Sequence, residues 1–216
     1  MAKEIYKVLL INGSPHLKGC VSRAFEEIEK TLDTCGVSFE RINVGNKDVR
    51  GCIACNYCRT HGKCVFNDAV NETASKLADA DGIILGTPVY YAGPNGQLHA
   101  FMDRLIYSTS GTVDLNQKVG ATVVSSRRAG STSAFDSLNH FFTMCSMPVV
   151  SSSYWNEVHG FTAEDVEDDK EGLQTMRNLA RNMAFLIKAI RAQKEKEGLP
   201  VQEHDVFTNF FTERRQ

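Results

Sequence analysis

Apolar residues follow two rhythms along this chain. Short unbroken runs, Val8-Leu9-Leu10-Ile11, Gly82-Ile83-Ile84-Leu85-Gly86 and Lys118-Val119-Gly120-Ala121-Thr122-Val123-Val124, have the length and β-branched content of strands buried on both faces. Between and after them, apolar positions recur at steps of three and four: Val21, Phe25, Ile28, Leu32, Cys35; Val70, Ala74, Leu77; Leu98, Phe101, Met102, Leu105; Phe135, Leu138, Phe142, Cys145; and Leu173, Met176, Ala180, Met183, Ile187, Ile190. Each set predicts a helix with one buried face. Val37–Val44 alternates imperfectly and predicts a second, more exposed strand near a sheet edge, and Met147–Val150 supplies a short fifth strand.

The punctuation agrees with this reading. Gly36 stops the first helix, Asn67-Asp68 caps the next, and the last helix begins among Glu164, Asp165, Glu167, Asp168 and Asp169 and ends in Lys194 and Lys196, so its charges follow the helix dipole. Strands that alternate with helices imply an α/β protein with a parallel sheet covered on both faces. With right-handed crossovers, the economical arrangement is a flavodoxin-like three-layer sandwich, a five-stranded parallel sheet in the order 2-1-3-4-5. One domain over residues 1–198 is expected, carrying a cysteine loop at 50–65, with a C-terminal extension at 199–216. Phe207, Phe210 and Phe211 in that extension pack on their own domain or reach a neighbouring subunit.

Composition narrows the partners. Lys+Arg of 24 against Asp+Glu of 26 leaves a net charge of -2, so no global field recruits nucleic acid or an anionic membrane, and a small-molecule partner is expected. The charged start Met1-Ala2-Lys3-Glu4 has no signal-type apolar region, and no stretch approaches the roughly 20 apolar residues of a membrane span, which predicts a cytoplasmic protein. Seven cysteines, an odd count with four crowded together, point to reduced thiols or metal ligands rather than a disulfide framework.

Chemistry concentrates in the loops after the first, third and fourth strands, which this topology brings to one rim of the sheet. Asn12-Gly13-Ser14-Pro15-His16-Leu17-Lys18-Gly19 leads from a strand into a helix, where unpaired N–H groups and the helix dipole favour an anion. From Asn12 to Phe25 there is no acidic side chain, while Ser14, Ser22, Lys18 and Arg23 can all meet phosphate oxygens. An ordinary strand-to-helix turn remains the alternative for this loop alone. Thr87–Asn95 offers a proline, the paired rings of Tyr90 and Tyr91, and Gly93, a bed for a flat apolar ring. Ser125–Ser131 is again acid-free and holds Arg127, Arg128 and Gly130 beside a helix start. Surface packing of the tyrosines and a solvated arginine pair are the bland alternatives. Phosphate at one end and an aromatic slot at the other describe a mononucleotide such as FMN.

Gly13-Ser14-Pro15, the stretch Asp81-Gly82-Ile83-Ile84-Leu85-Gly86-Thr87-Pro88-Val89-Tyr90, Phe101-Met102-Asp103-Arg104 and the cysteine loop, in this order, resemble the NAD(P)H-dependent FMN reductases and the related iron–sulfur flavoproteins over about residues 5 to 190. The resemblance implies FMN held without a covalent bond, with Ser14, His16, Cys20, Val21 and Ser22 around the phosphate and Pro88, Val89, Tyr90 and Gly93 around the ring. It also implies NADPH or NADH as co-substrate and a homodimer or homotetramer whose partner subunit helps to wall the site. Many relatives have Gly-Asn-Thr where this chain has Gly19-Cys20-Val21-Ser22, which moves the phosphate-facing hydroxyl to Ser22.

Cys52, Cys55, Cys58 and Cys64 follow C-x2-C-x2-C-x5-C. Such a run can wrap a [4Fe–4S] cubane; zinc more often takes two separated pairs, and free thiols are the third reading. Arg50, Arg59, His61 and Lys63 nearby favour thiolates in any of these states, whereas Cys35 and Cys145 read as core residues. Two functions therefore compete. One is an enzyme passing electrons from a nicotinamide through FMN to a quinone, flavin, azo or ferric acceptor. The other is an electron carrier linking FMN, a cluster and a ferredoxin-like partner. A regulatory FMN- or metal-sensing module is a third and weaker reading. No hydrolytic motif is present, and no acid or base is nominated.

Overall fold

A computed structural model describes residues 6–203, 206 and 208. Phe207, Phe210 and Phe211 lie outside the described residues, and so does most of the expected extension. The strands are β1 (Tyr6–Asn12), β2 (Val37–Asn43), β3 (Gly82–Pro88), β4 (Val119–Ser126) and β5 (Glu157–His159). The helices are α1 (Cys20–Thr34), α2 (Tyr57–His61), α3 (Ala69–Leu77), α4 (Gly96–Thr109), α5 (Ser131–Met144), α6 (Ala163–Asp168) and α7 (Lys170–Glu197). All strand pairs are parallel and the sheet order is β2-β1-β3-β4-β5, the arrangement the alternating pattern predicts.

The apolar strand runs divide between two cores because successive side chains point to opposite faces. Val8 and Leu10 of β1, with Ile84, Ala121 and Val123, pack beneath α1, α6 and α7. Leu9 and Ile11, with Ile83 and Leu85, pack beneath α3, α4 and α5. These strand residues are fully buried, which is why the sequence shows unbroken apolar runs there rather than alternation. The edge strand β2 buries only Val37 fully.

Two expectations need correction. The fifth strand is Glu157–His159, paired with Val124–Ser126, and not Met147–Val150. The earlier stretch makes one isolated bridge at Val149 to Gly120, its bonds running from Gly120 N to Pro148 O and from Val150 N to Gly120 O. Pro148 has no N–H to extend a ladder, and the chain swings out through Ser151, Ser152 and Ser153 before pairing again. The last helix is also two helices. Asp169, at φ -78 and ψ 73, breaks the acidic stretch, accepts from Gly172 N at 2.8 Å to cap α7, and accepts from His159 N at 2.7 Å.

Among the described residues no helix is long and apolar enough to cross a membrane.

Candidate functional site

The three loops meet along one rim. Asn12 of β1 pairs with Gly86 of β3, and Pro88 of β3 pairs with Ser125 of β4, so the segments leaving Gly13, Val89 and Arg127 are neighbours at the carboxyl ends of the strands. Their backbones are joined: Gly13 N donates to Gly86 O at 2.7 Å and Val89 N donates to Ser125 O at 2.9 Å.

The first loop is built on a buried asparagine that the sequence reading passed over. Asn12 Oδ1 accepts from Ser14 N at 2.9 Å, while its Nδ2 donates to Asn43 Oδ1 at 3.0 Å and Ser22 Oγ at 3.3 Å. One fully buried amide thus fixes the start of the turn, the edge strand and the first turn of α1. Ser14 is buried, and its Oγ accepts from His16 N at 3.2 Å, while the His16 and Lys18 side chains are exposed. Gly45 presses from behind: a Cβ there would lie 2.1 Å from Gly13 O and 2.5 Å from the Ser14 carbonyl carbon.

Gly19 caps α1 with no side-chain hydrogen bond, and the first helical bond runs from Arg23 N to Gly19 O at 3.0 Å. The N–H groups of Cys20, Val21 and Ser22 therefore have no capping side chain, the arrangement that attracts an anion. The Cys20 thiol points away from the turn, to Thr162 O at 3.2 Å and Gly160 O at 3.6 Å, so this residue offers the cradle its backbone. Arg23 does not face the cradle. It pairs with Glu27 at 3.1 Å and with Glu167, because α6 lays its acidic residues beside α1, a contact that local sequence could not reveal. Its pKa is raised, chiefly by the Glu167 hydrogen bond.

The second loop is a tight hairpin. Tyr90 and Gly93 exchange both backbone bonds at 2.9 Å, and the residues between them, Tyr91 at φ 51 and Ala92 at φ 61, are left-handed. Tyrosine and alanine rarely adopt that conformation, and such strain gathers where a loop is shaped for a ligand. Tyr91 is fully exposed and Tyr90 nearly half exposed, so neither ring is spent on the core. Val89, Tyr91, Ala92, Ser126, Arg127 and Arg128 line one open cleft between the second and third loops. Gly130, left-handed at φ 88, caps α5 against Val89 and Ala92. Arg127 and Arg128 are exposed, and among the described residues neither makes an ion pair. Behind Ser126, His159 Nδ1 lies 3.2 Å from its Oγ, and His159 Nε2 lies 3.7 Å from Glu157 Oε1.

Helix α4 starts at the hairpin, where Asn95 Oδ1 accepts from Gln97 N at 2.7 Å, and ends against the cysteine loop. Cys52, Cys55, Cys58 and Cys64 all line one pocket there, together with Ile53, Phe66, Arg104 and Tyr107. Ala54 at φ 52 and Asn56 at φ 56 are left-handed, two non-glycine turns within the first three cysteines, and Ala54 N lies 3.5 Å from Cys52 Sγ. Asn71 clamps the far end: its Oδ1 accepts from Cys64 N at 2.9 Å and its Nδ2 donates to Cys64 O and Phe66 O, both at 3.0 Å. Among the described residues no three potential ligands converge at the spacing of a single ion. The four thiols share this pocket with the apolar side chains of Ile53, Val65 and Phe66, a donor set of the kind that can ligate an iron–sulfur cluster or zinc.

Arg104 is the residue of this region whose role the sequence reading left unassigned. It is 1% exposed on the apolar face of α4, and its guanidinium reaches Cys64 Sγ and Asp68. Burial works against its charge, yet hydrogen bonds to Asp68 and Cys64 leave its pKa above the ordinary guanidinium value. The available signal was a charged residue falling on the same helical face as Phe101 and Leu105. Cys35 and Cys145 sit at helix ends, partly buried against the two cores, and burial raises the Cys145 thiol pKa.

Residues 6–162 match the family described as NADPH-dependent FMN reductase. An iron–sulfur flavoprotein of Methanocaldococcus jannaschii is 35% identical over 192 residues, covering 86% of this chain and 99% of that protein. One from Methanosarcina thermophila is 28% identical, covering 88% and 100%. Among solved structures, the flavoenzyme NAD(P)H:(acceptor) oxidoreductase FerB of Paracoccus denitrificans superposes with a TM-score of 0.65 at 13% identity, covering 86% of this chain and 98% of that one. An archaeal flavodoxin gives 0.55 at 17% identity, covering 84% and 99%. At such identities the structural likeness establishes the fold.

Proposed function

The chain belongs to the NADPH-dependent FMN reductase family, and from that premise we propose that it is an oxidoreductase carrying electrons from NADPH or NADH, through non-covalently held FMN, to a small acceptor. The observation that carries this reading is the shared rim, where an uncapped helix start, a strained hairpin with exposed rings and two arginines lie side by side. The residues fit the group. The Ser14 hydroxyl and the N–H groups of Cys20, Val21 and Ser22 would hold the phosphate, with Ser22 Oγ held in place by Asn12. The strip Pro88-Val89-Tyr90, the hairpin to Gly93 and the cap at Gly130 would hold the ring.

FMN, when bound, supplies the exchange of electrons with a nicotinamide. The chain's part is to orient and to shield. The hairpin, held by its own backbone bonds, would supply a fixed edge for the ring, and Tyr91, free of the core, would be available to a second substrate. Arg127 and Arg128 present positive charge to a nicotinamide phosphate; guanidinium groups suit that geometry. His16 is exposed at the mouth of the cradle and is free to meet a ligand there.

A specific observation favours a second reading, an electron carrier. Four cysteines share a pocket at the end of α4 opposite the hairpin, and the curated relatives above are iron–sulfur flavoproteins. Cys52, Cys55, Cys58 and Cys64 would hold a [4Fe–4S] cluster, with a ferredoxin-like protein as the partner. Anaerobic purification followed by a visible spectrum, iron and sulfide assays, and NADH and NADPH turnover tests both readings. Bound FMN with turnover supports the enzyme. FMN with about four iron and four sulfide per chain and slow turnover supports the carrier. A protein that takes up no FMN refutes both.

A further inference from the structure

We propose that Arg104 is a positioning residue for the cysteine loop, holding the Cys64 sulfur by two N–H groups and raising the reduction potential of the iron–sulfur cluster ligated there. This rests on the cluster reading above and adds to it the residue that tunes the site.

The geometry is unusually complete. A guanidinium has five N–H donors, and Arg104 makes five hydrogen bonds: Nε to Cys64 Sγ at 3.3 Å, Nη2 to Cys64 Sγ at 3.2 Å and to Asp68 Oδ1 at 3.0 Å, and Nη1 to Asp68 Oδ2 at 2.7 Å and to Arg50 O at 3.3 Å. No donor is left for water. The Phe66 ring lies 5.0 Å from the guanidinium carbon and covers it. A charge at a 1% exposed position is costly unless it is paired. The Asp68 carboxylate alone could balance it. That two of five donors are directed instead at one sulfur calls for a function at that sulfur.

Cys64 is also the cysteine whose backbone is clamped on both sides by Asn71. Backbone and side chain of this fourth ligand are thus both fixed, while Cys52 and Cys55 are exposed. Hydrogen bonds to ligand sulfur and nearby positive charge favour the reduced cluster, because reduction adds one negative charge to it. The one-electron change makes and breaks no bond and moves no proton; the guanidinium donors are in place before and after. Lysine can reproduce only part of the effect, keeping the positive charge but having no planar fork to reach the sulfur and both carboxylate oxygens together.

The test is a mediated potentiometric titration of the anaerobically purified holoprotein, read by electron paramagnetic resonance, for the wild type, Arg104→Gln, Arg104→Lys and Asp68→Asn. Arg104→Gln should lower the equilibrium constant for cluster reduction at least tenfold, about 59 mV for one electron, and Arg104→Lys should fall part of the way. Asp68→Asn keeps the oxygen that caps α3 but removes the balancing negative charge, so it should move the potential upward. A purely structural role would lower iron content in both Arg104→Gln and Asp68→Asn without splitting the sign. Equal potentials in loaded wild type and Arg104→Gln, or shifts of the same sign in Arg104→Gln and Asp68→Asn, overturn the assignment. Should Arg104→Gln fail to hold iron, the signs of Arg104→Lys and Asp68→Asn decide. A wild type without iron and labile sulfide overturns the cluster reading itself, and this proposal with it, whereas a loaded wild type with unmoved variants overturns only the role of Arg104.

Discussion

Replacing Gly45 with alanine puts a methyl group where the backbone of the first loop already is. The new carbon would stand 2.1 Å from Gly13 O, 2.3 Å from Gly13 C and 2.5 Å from Ser14 C. Backbone cannot rotate aside as a flexible side chain can, so the Gly13-Ser14 segment must retreat by more than an ångström to reach ordinary contact. Overpacking of this kind costs about 1–3 kcal/mol, which for a domain of this size lowers Tm by roughly 2–12 °C. The displaced segment carries Ser14, whose N–H is held by Asn12, so the proposed phosphate cradle would be distorted along with the fold. Losing one hydrogen bond to a charged phosphate costs about 1.5–3 kcal/mol, roughly ten- to a hundredfold in FMN affinity. Flavin-fluorescence titration of apoprotein, with thermal melts alongside, reads both numbers. Gly111→Ala is the control, since nothing lies within 4 Å of a Cβ there. Gly45→Ala that binds FMN as tightly as wild type would show that the flavin phosphate is not held at Gly13–Ser22.

Arg127→Ala/Arg128→Ala should raise KM for NADPH about tenfold, the loss of one charge-assisted contact, with NADH turnover and FMN content unchanged; steady-state kinetics with both nicotinamides check it, and equal losses for the two would count against a phosphate role. Asn71→Ala removes three hydrogen bonds at the cysteine loop, about 1 kcal/mol each, and hydrogen exchange of residues 52–66 should speed up at least tenfold while β1 and β3 stay protected. Glu27 lies between Arg23 and Arg177; burial pushes its carboxyl pKa up, but hydrogen bonds from the two guanidinium groups outweigh this and hold it below the usual value of 4.5. A carboxyl lowered in the folded state stabilises fully above its unfolded pKa and loses that contribution as pH falls through the folded one. Glu27→Gln should therefore lower Tm by a few degrees at pH 7, for about 1 kcal/mol in a partly exposed network, and the gap to wild type should close as melts are taken from pH 5 towards pH 3.

The sequence disclosed β1, β3 and β4 because they are buried on both faces, and α1, α4 and α7 because each has one apolar stripe. Glu157–His159 escaped notice because it is three residues long with only Val158 buried, while Met147–Val150 looked more like a strand and pairs at a single point. The strand-to-helix turn after β1 was legible from Gly13 and Ser14, but the turning away of Arg23 was not, since Glu167 lies far off in the chain. Asn12 and Arg104 are polar residues inside apolar surroundings, and only the bonds they make, to Ser14 and Ser22 in one case and to Cys64 and Asp68 in the other, distinguish them from errors in the pattern.

Helix α4 touches the ring hairpin at its start and the cysteine pocket through Arg104 and Tyr107. From Gly96 to Arg104 is eight residues, a rise of about 12 Å. If FMN and a cluster occupy the two proposed sites, the gap an electron has to tunnel would be gauged by a rigid strut rather than by the loops at its two ends. Either loop could then vary in sequence, and so in potential or in choice of partner, while the span between the two sites stays constant.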